Sequence, residues 1–439
     1  MSRPRFSTML AVATALVFTL LLVLAVGLGR NADPTGKTVL TLRLWDQQVA
    51  AAYRESLDAF TAANPDIEVR IVTVSYASYF DTLRTDVAGG GADDVFWLNS
   101  TNLAGYADND RLLAVDPQPG WEQTVVDQFT RDGTLWGVPQ LTDAGIAVYY
   151  NAELLAEAGV APAELDGLRW GTPDDTLRPL LARLTRDTTG RPATDPSFDP
   201  GRTRVWGYNA ANDLQAINLN FVGSAGGTYS EGDAFTFDNP AARGAFEYLV
   251  ALINDDRVAP PASDTNDNGD FSRNQFLSGR MALFQSGTYN LANVADTARF
   301  PWGVALLPTG PAGRVSVTNG IVVAGNAATD HPAQVRRLLD WLGSSAGNAY
   351  LGAGGAAIPA VLAAQQGYFD YWERRGVDVS PFFDVLDGSY VQAPAGAGFA
   401  AGFAALKPYF DEMFLGRLPV GEALSQAQAA ANSAANSGR

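Results

Sequence analysis

Residues 39–74, VLTLRLWDQQVAAAYRESLDAFTAANPDIEVRIVTV, hold the reading that decides the fold. In the opening run Leu40, Leu42 and Leu44 alternate with Thr41 and Arg43, the period of two that lays one face of a strand on a core, and Trp45 stands at its end. From Val49 to Ala63 the period changes: Val49, Tyr53, Leu57 and Phe60 recur at helical spacing until Asn64-Pro65 stops the run. IEVRIVTV, residues 67–74, is a second strand. Phe80, Leu83 and Val87 then mark a second helix that ends at Gly89-Gly90-Gly91, and DDVFWLN, residues 93–99, reads as a third strand. Strand, helix, strand, helix, strand predicts an α/β fold with a parallel sheet and crossover helices.

Further along, residues 132–139 read as a turn and a short extended piece, followed by strand-like IAVYYN and the helix AELLAEAG. A second helix is expected near Thr176 to Thr185, then a loop rich in Pro, Asp and Thr. A second α/β region runs from Val205 to Pro308, with helices around Ala241 to Ile253 and Phe271 to Leu277. VTNGIVVAG, residues 317–325, is strand-like, and Pro332 to Gly343 is a helix with proline in its first turn. Residues 360–439 read mostly as helix and loop, and the Ala/Ser/Asn-rich end from Gln426 as a frayed helix or disorder. No repeat of fixed period is visible.

Composition narrows the chemistry. The 439 residues include no cysteine, which excludes disulfide scaffolds and thiol catalysis, and one histidine, so only His331 could serve a zinc or Ser-His-Asp site. Thirty basic against 47 acidic side chains give a formal charge of -17, which argues against binding to a phosphate backbone. No nucleic-acid partner and no cofactor are expected. Asp and Glu remain as acid-base candidates.

The first 30 residues carry Arg3 and Arg5, then an uncharged stretch from Phe6 to Gly29, the pattern of an exported chain. At 24 residues that stretch matches a membrane-spanning anchor, yet Ala25-Val26-Gly27 also offers a signal-peptidase site, so residues 1–30 are a signal peptide or an N-terminal anchor. Without Arg3, Arg5 and Arg30, 27 basic residues face 47 acidic ones, a formal charge of -20. The bulk of the protein is placed outside the cytoplasm, secreted or tethered by this segment. The absence of cysteine excludes a lipid-modified cysteine as the tether.

Four segments, in order, resemble a known family: the extracellular solute-binding proteins of bacterial ABC importers, in the sugar-capturing, maltose-binding-protein-like branch. LRLWDQ with the helix and strand after it resembles the family's opening. YFDTLRTDVAGGGADDVFWLNSTNLAGYADNDRLLAVDP resembles its most recognisable stretch, DGTLWGVPQLTDAGIAVYYNAELLAEAGV its first crossing between lobes, and FLSGRMALFQSGTYN with WGVALLPTGPAGRVSVTNGIVVAGNA its later helix, strand and return crossing. Two features depart from the family: the lipid-modified cysteine common in relatives is absent, and Tyr289 stands where a tryptophan is common. The resemblance implies a two-lobed periplasmic-binding-protein-like fold with discontinuous lobes, a hinge, and a ligand cleft between them. Lobe 1 is expected at 37–142 plus 311–358, lobe 2 at 143–310 plus 359–430, with 431–439 as a tail. It implies a substrate-binding subunit that captures a carbohydrate by hinge closure, delivers it to ABC permease transmembrane subunits, acts as a monomer, and catalyses nothing.

In open α/β sheets ligands bind beyond the carboxyl ends of strands. That places Trp45, Asp46 and Gln47 after the first strand, and Asn99 and Ser100 after the third, as candidate sugar contacts. An aromatic face beside carboxylates and amides suits a sugar, whose C–H faces stack on rings and whose hydroxyls need donors and acceptors. The competing reading packs Trp45 between helix and sheet and makes Asn99 a helix cap. Asp143 follows the hinge-like Pro139 to Thr142. Asn220, Tyr289, Trp302, Asn319 and Phe399 complete the candidate set.

Asp264, Asn266 and Asn268 open a run that matches the start of a calcium loop, but Gln275 stands where its bidentate glutamate belongs, so a helix-capping turn competes with a metal site. His331 reads as a helix-start residue. Two rivals stand beside the importer reading: a secreted glycoside hydrolase using two carboxylates, and a sugar-binding protein that feeds a membrane sensor.

Overall fold

The computed structural model describes residues 36–396 and 398–437, so the apolar N-terminal segment lies outside the described residues. Among them no helix is long and apolar enough to cross a membrane.

The expected alternation is present: β1 (Thr38–Leu44), α1 (Gln47–Ala63), β2 (Ile67–Thr73), α2 (Tyr76–Gly89), β3 (Val95–Asn99) and α3 (Ser100–Ala107). β1 pairs in parallel with β2 along its whole length, and with β3 at Leu42 and Arg43. Leu40, Leu42 and Leu44 are fully buried, and α1 lays Val49, Tyr53, Leu57 and Phe60 on the same core. Gly90 ends α2 with φ 70, a left-handed cap that costs other residues strain. Alternation alone would send Arg43 to solvent. Instead it is buried, with its guanidinium on Asp93 at 2.5 Å and Asp86 at 2.7 Å.

The chain leaves this lobe along β4 (Val138–Asp143) and enters β5 (Ala147–Asn151), the middle of an antiparallel three-stranded sheet with β6 (Leu283–Ser286) and β7 (Trp302–Ala305). It returns through β8 (Val315–Gly325), whose 11 residues are all buried. The first part of β8 pairs in parallel with β9 (Ser389–Gln392) and packs on α4 (Leu219–Ser224). The second part pairs antiparallel with β3 on one edge and β4 on the other. Three packed cores result. One holds the first lobe, one the second, and a third joins β5 and β6 to Ile358, Tyr368, Trp372 and Phe382 beside the crossing.

These cores locate the crossings. Leu141 belongs to the first lobe and Ile146 to the second. The return falls inside β8, between Val317 and Ile321, because one buried strand runs through both lobes; the expectation had put it near residue 311. Ala360, Val361 and Ala364 still pack in the first lobe, past the expected exit at 358.

At the C-terminal end, of the frayed helix or disorder expected from Gln426, the helix is found. Following α5 (Pro332–Leu342) and α6 (Phe399–Phe414), helix α7 spans Val420–Ser437 and takes in most of the expected tail. Its alanines Ala423, Ala427, Ala431 and Ala435 recur every four residues and are buried against the second lobe. Small side chains here allow close helix packing. His331 occupies the cap position of α5, where its carbonyl accepts from Val335 N.

Candidate functional site

The candidate residues of the first lobe stand at strand ends. Trp45 is half-buried inside a ring of aromatics, with centroids of Trp97 at 4.8 Å, Tyr79 at 4.9 Å, and Tyr76 and Phe80 at 5.6 Å. Asp46 is the cap of α1: one carboxylate oxygen accepts from Gln48 N at 2.8 Å and Val49 N at 3.0 Å. Burial raises its pKa and these two backbone bonds oppose the rise. Asn99 caps α3 in the same manner, accepting from Asn102 N at 3.2 Å. Ser100 is buried and donates to Asn319 Oδ1 at 3.2 Å. Gln47 is exposed on the first turn of α1.

At the crossing, Asp143 lies opposite Asn319 in the β4–β8 register. Its carboxylate accepts from Gln215 Nε2 of the second lobe at 3.1 Å. Burial pushes the Asp143 carboxyl up to about 6; the charge of Asp46 adds to this and the Gln215 bond works against it. A second bond joins the lobes directly, from Gln48 Nε2 on α1 to Asn293 Oδ1 at 3.3 Å.

The second lobe adds Tyr289 and Asp213. Burial raises the Tyr289 hydroxyl, and the charges of Asp213 and Asp143 raise it further. A β-carbon at Gly287 would come within 2.3 Å of the Tyr289 ring, so glycine is required for that ring to sit where it does. Tyr76, across from them, is 58 % exposed. Yet the protein around it, with Asp213 and Asp143, raises its hydroxyl to about 12, opposed by a hydrogen bond to Asn99. Tyr76 is thus an exposed side chain on which carboxylates from the crossing and from the second lobe act. Among the described residues, the shifts of Asp46, Asp143, Asp213 and Tyr76 arise from burial, hydrogen bonds and other carboxylates, and from no Arg or Lys.

The structure thus brings Asp46, Asn99, Asp143 and Tyr289 within electrostatic or hydrogen-bonding reach of one another through Tyr76 and Asp213, with Ser100 and Asn319 behind them. It gives other candidates different surroundings. Phe399 is buried in the second core, stacked on Phe235 at 4.9 Å. Asn220 is buried on α4, where its amide accepts from Val317 N at 2.9 Å and donates to Gln215 O at 2.7 Å. Trp302 packs on the third core, its ring 6.2 Å from Tyr149. Residue reading missed Tyr76, Asp213, Gln215, Gln48 and Asn293. Asp213 before Leu214 was legible as a helix start, but nothing local distinguishes Tyr76 from the other aromatics of α2.

The suspected calcium loop does not form. Asp264 and Thr265 belong to a helical turn, Ala262–Thr265. Asn266 donates its amide to Asp411 O at 3.2 Å, and Asp267 pairs with Lys407 at 3.2 Å, so an ammonium occupies the charge that a cation would need. The competing capping reading also fails in detail, since Asp270 precedes the helix Phe271–Leu277 without a side-chain cap bond. Among the described residues no group of three His, Cys, Asp or Glu could hold a metal ion.

Comparison with known proteins gives a consistent result. A family model described as bacterial extracellular solute-binding protein matches residues 45–349. The crystal structure of M. tuberculosis UspC is 67% identical, with a TM-score of 0.73 over 90% of this chain and 100% of that one. An ABC substrate-binding protein of Listeria monocytogenes in complex with cycloalternan is 20% identical, with a TM-score of 0.78 over 90% of this chain and 98% of that one, a likeness of fold. A lactose-binding protein of Rhizobium radiobacter is 25% identical over 238 residues, 52% of this chain. The match spans about half of that relative's own length, 52%.

Proposed function

The chain belongs to the bacterial extracellular solute-binding protein family, and from that premise we propose that it is the capture subunit of an ABC importer whose ligand is a carbohydrate. One observation carries the reading. The cleft between the lobes meets at a crossing where Asp143 is bonded to Gln215 of the second lobe, with aromatic rings and carboxylates supplied from both sides.

Such a cleft works by hinge closure. A ligand shifts the lobes toward the closed state only as far as it binds that state better than the open one, so contacts must come from both lobes. Asp46, Asn99, Tyr76 and Asn319 offer the first lobe's share, Tyr289, Asp213 and Gln215 the second's, and Asp143 sits where the two turn about each other. Rings suit the C–H faces of a sugar, while amides and carboxylates suit its hydroxyls. Carboxylates without a basic counter-charge disfavour acidic sugars. The closed form is the state a permease recognises, and the subunit needs no catalytic group for that task. It works as a monomer outside the cytoplasm, held there by residues 1–30 or released from them.

Lactose, maltotriose and cycloalternan have partners among solute-binding proteins, so they head a screening panel to which glucose 6-phosphate and galacturonate are added. A neutral saccharide is expected to raise the melting temperature, because it binds only the folded state, and to be recovered intact; the two anionic sugars are expected to leave it unchanged. Release of hydrolysis products would overturn the capture reading in favour of a glycosidase.

A further inference from the structure

Between Asp213 and α4 the chain makes a π-helical turn, Leu214–Asn218. It is closed by the wide bond from Asn218 N to Asp213 O at 2.8 Å. Such turns are rare and concentrate at functional sites, because widening the helix misaligns carbonyls that must then find other partners. Here those partners are buried side chains from elsewhere in the chain. Gln285 donates to Ala216 O at 2.6 Å, and Asn220 donates to Gln215 O at 2.7 Å. Gln285 and Asn220 are themselves 1 % and 2 % exposed, so the turn is held from behind by amides that water does not reach.

The widened turn fixes its first residues beside the crossing. Asp213 holds one carboxylate oxygen on Ala216 N at 2.8 Å and is itself exposed, and Gln215 reaches Asp143. Tyr76, in the first turn of α2, is the most exposed large hydrophobic side chain of the described residues and lies close enough to Asp213 to feel its charge from the opposite lobe. Trp45 lies behind Tyr76, ringed by four aromatics.

We propose that Tyr76 and Asp213 are the paired ligand contacts of the two lobes: the Tyr76 ring stacks on the C–H face of the saccharide, Asp213 accepts from its hydroxyls, and Trp45 and Asn220 act only by positioning them. This rests on the carbohydrate reading above. The step beyond it is the assignment of the aromatic platform to Tyr76 and of the second lobe's acceptor to a π-turn.

The test uses the full chain and titration calorimetry with whichever of lactose, maltotriose or cycloalternan the unaltered protein binds most tightly. Tyr76→Ala and Asp213→Asn are each expected to weaken binding at least about tenfold, with ligand-free melting temperatures close to that of the unaltered protein. Tyr76 is exposed, and asparagine caps a helix as well as aspartate does. Tyr76→Phe keeps the ring and is expected to retain binding within about threefold. Asn220→Ala is expected to lower the ligand-free melting temperature and the affinity together, the mark of a positioning residue. If the unaltered protein binds a saccharide and Tyr76→Ala or Asp213→Asn binds it equally well, the inference falls while the carbohydrate reading stands. If the unaltered protein binds none of the three, the carbohydrate reading falls and the inference with it.

Discussion

The first lobe's wall of the cleft rests on local structure, and the second lobe's on contacts far apart in sequence. Asp46 and Asn99 each bond to backbone N–H groups two or three residues ahead, as caps of the helices they precede. The second wall is a π-turn whose carbonyls are held by Gln285, 69 residues away, and whose following helix is tied to β8 by Asn220, 97 residues from its partner Val317. The first wall is therefore set once a parallel sheet and two helices form. The second is set only when the lobe has closed around its own amides. Asp213 also caps its own turn, as Asp46 and Asn99 do, but the turn that carries it is held in place by buried amides from distant parts of the chain.

Removing an amide behind the π-turn should have the largest effect. Gln285→Leu would leave Ala216 O without its donor and the buried Tyr208 hydroxyl without its acceptor. A loss of about 3 kcal/mol is expected from such unpaired groups, read from urea unfolding without ligand. If the loss were under about 1 kcal/mol, water would be satisfying those groups and the contrast between the walls would weaken. Trp45→Ala comes next: the half-buried ring has four aromatic neighbours, so a cost of about 2 kcal/mol is expected. Unchanged ligand-free stability would return Trp45 to the role of a ligand face.

Asn99→Ala removes one cap and should cost about 1 kcal/mol, measured by the same unfolding curve. Asn99→Asp should restore most of it, since aspartate accepts the same bond. The smallest change is expected from Asp143→Asn. With the folded carboxyl raised to about 6 against an ordinary 3.8, the penalty for its charge is fully present above about pH 6 and is lost as the pH falls toward 4. Acidification through that window should therefore stabilise the ligand-free protein, by less than about 1 kcal/mol because cleft water screens the charge. Asparagine should abolish that rise while keeping an acceptor for Gln215. A pH profile identical in both proteins would show that Asp143 is too well solvated to report on the crossing.

Much of the architecture was legible because short-range periodicity encodes it. The change from period two to helical spacing across residues 39–74 is enough to call β1, α1 and β2, and the parallel pairing follows from the crossover. Asn99 was readable as a cap for the same reason, and the alanines of α7 carry a helical repeat where composition left a frayed helix or disorder open. The site was legible only in part. Position after a strand end points to Trp45, but whether a ring is exposed, as Tyr76 is, or packed among four others, as Trp45 is, depends on how α2 lies on the sheet. Phe399 and Asn220 illustrate the same limit, since a loop-flanking aromatic and an amide before a helix end have no local mark of being buried.

What the sequence determined by itself was therefore the set of elements, their alternation, the lack of cysteine with a single histidine, and the acidic charge. Each follows from composition or from spacing within a few residues, where side-chain direction is fixed by backbone period. Only the tertiary structure decided where the lobes exchange the chain within β8, that Gln215 reaches Asp143, and that the Asp213 charge acts on Tyr76. Those facts join residues separated by 72 positions for the first pair, and more for the second. Burial and proximity over such separations are properties of the packed whole, because they depend on which faces of distant elements meet and not on any local preference of the chain.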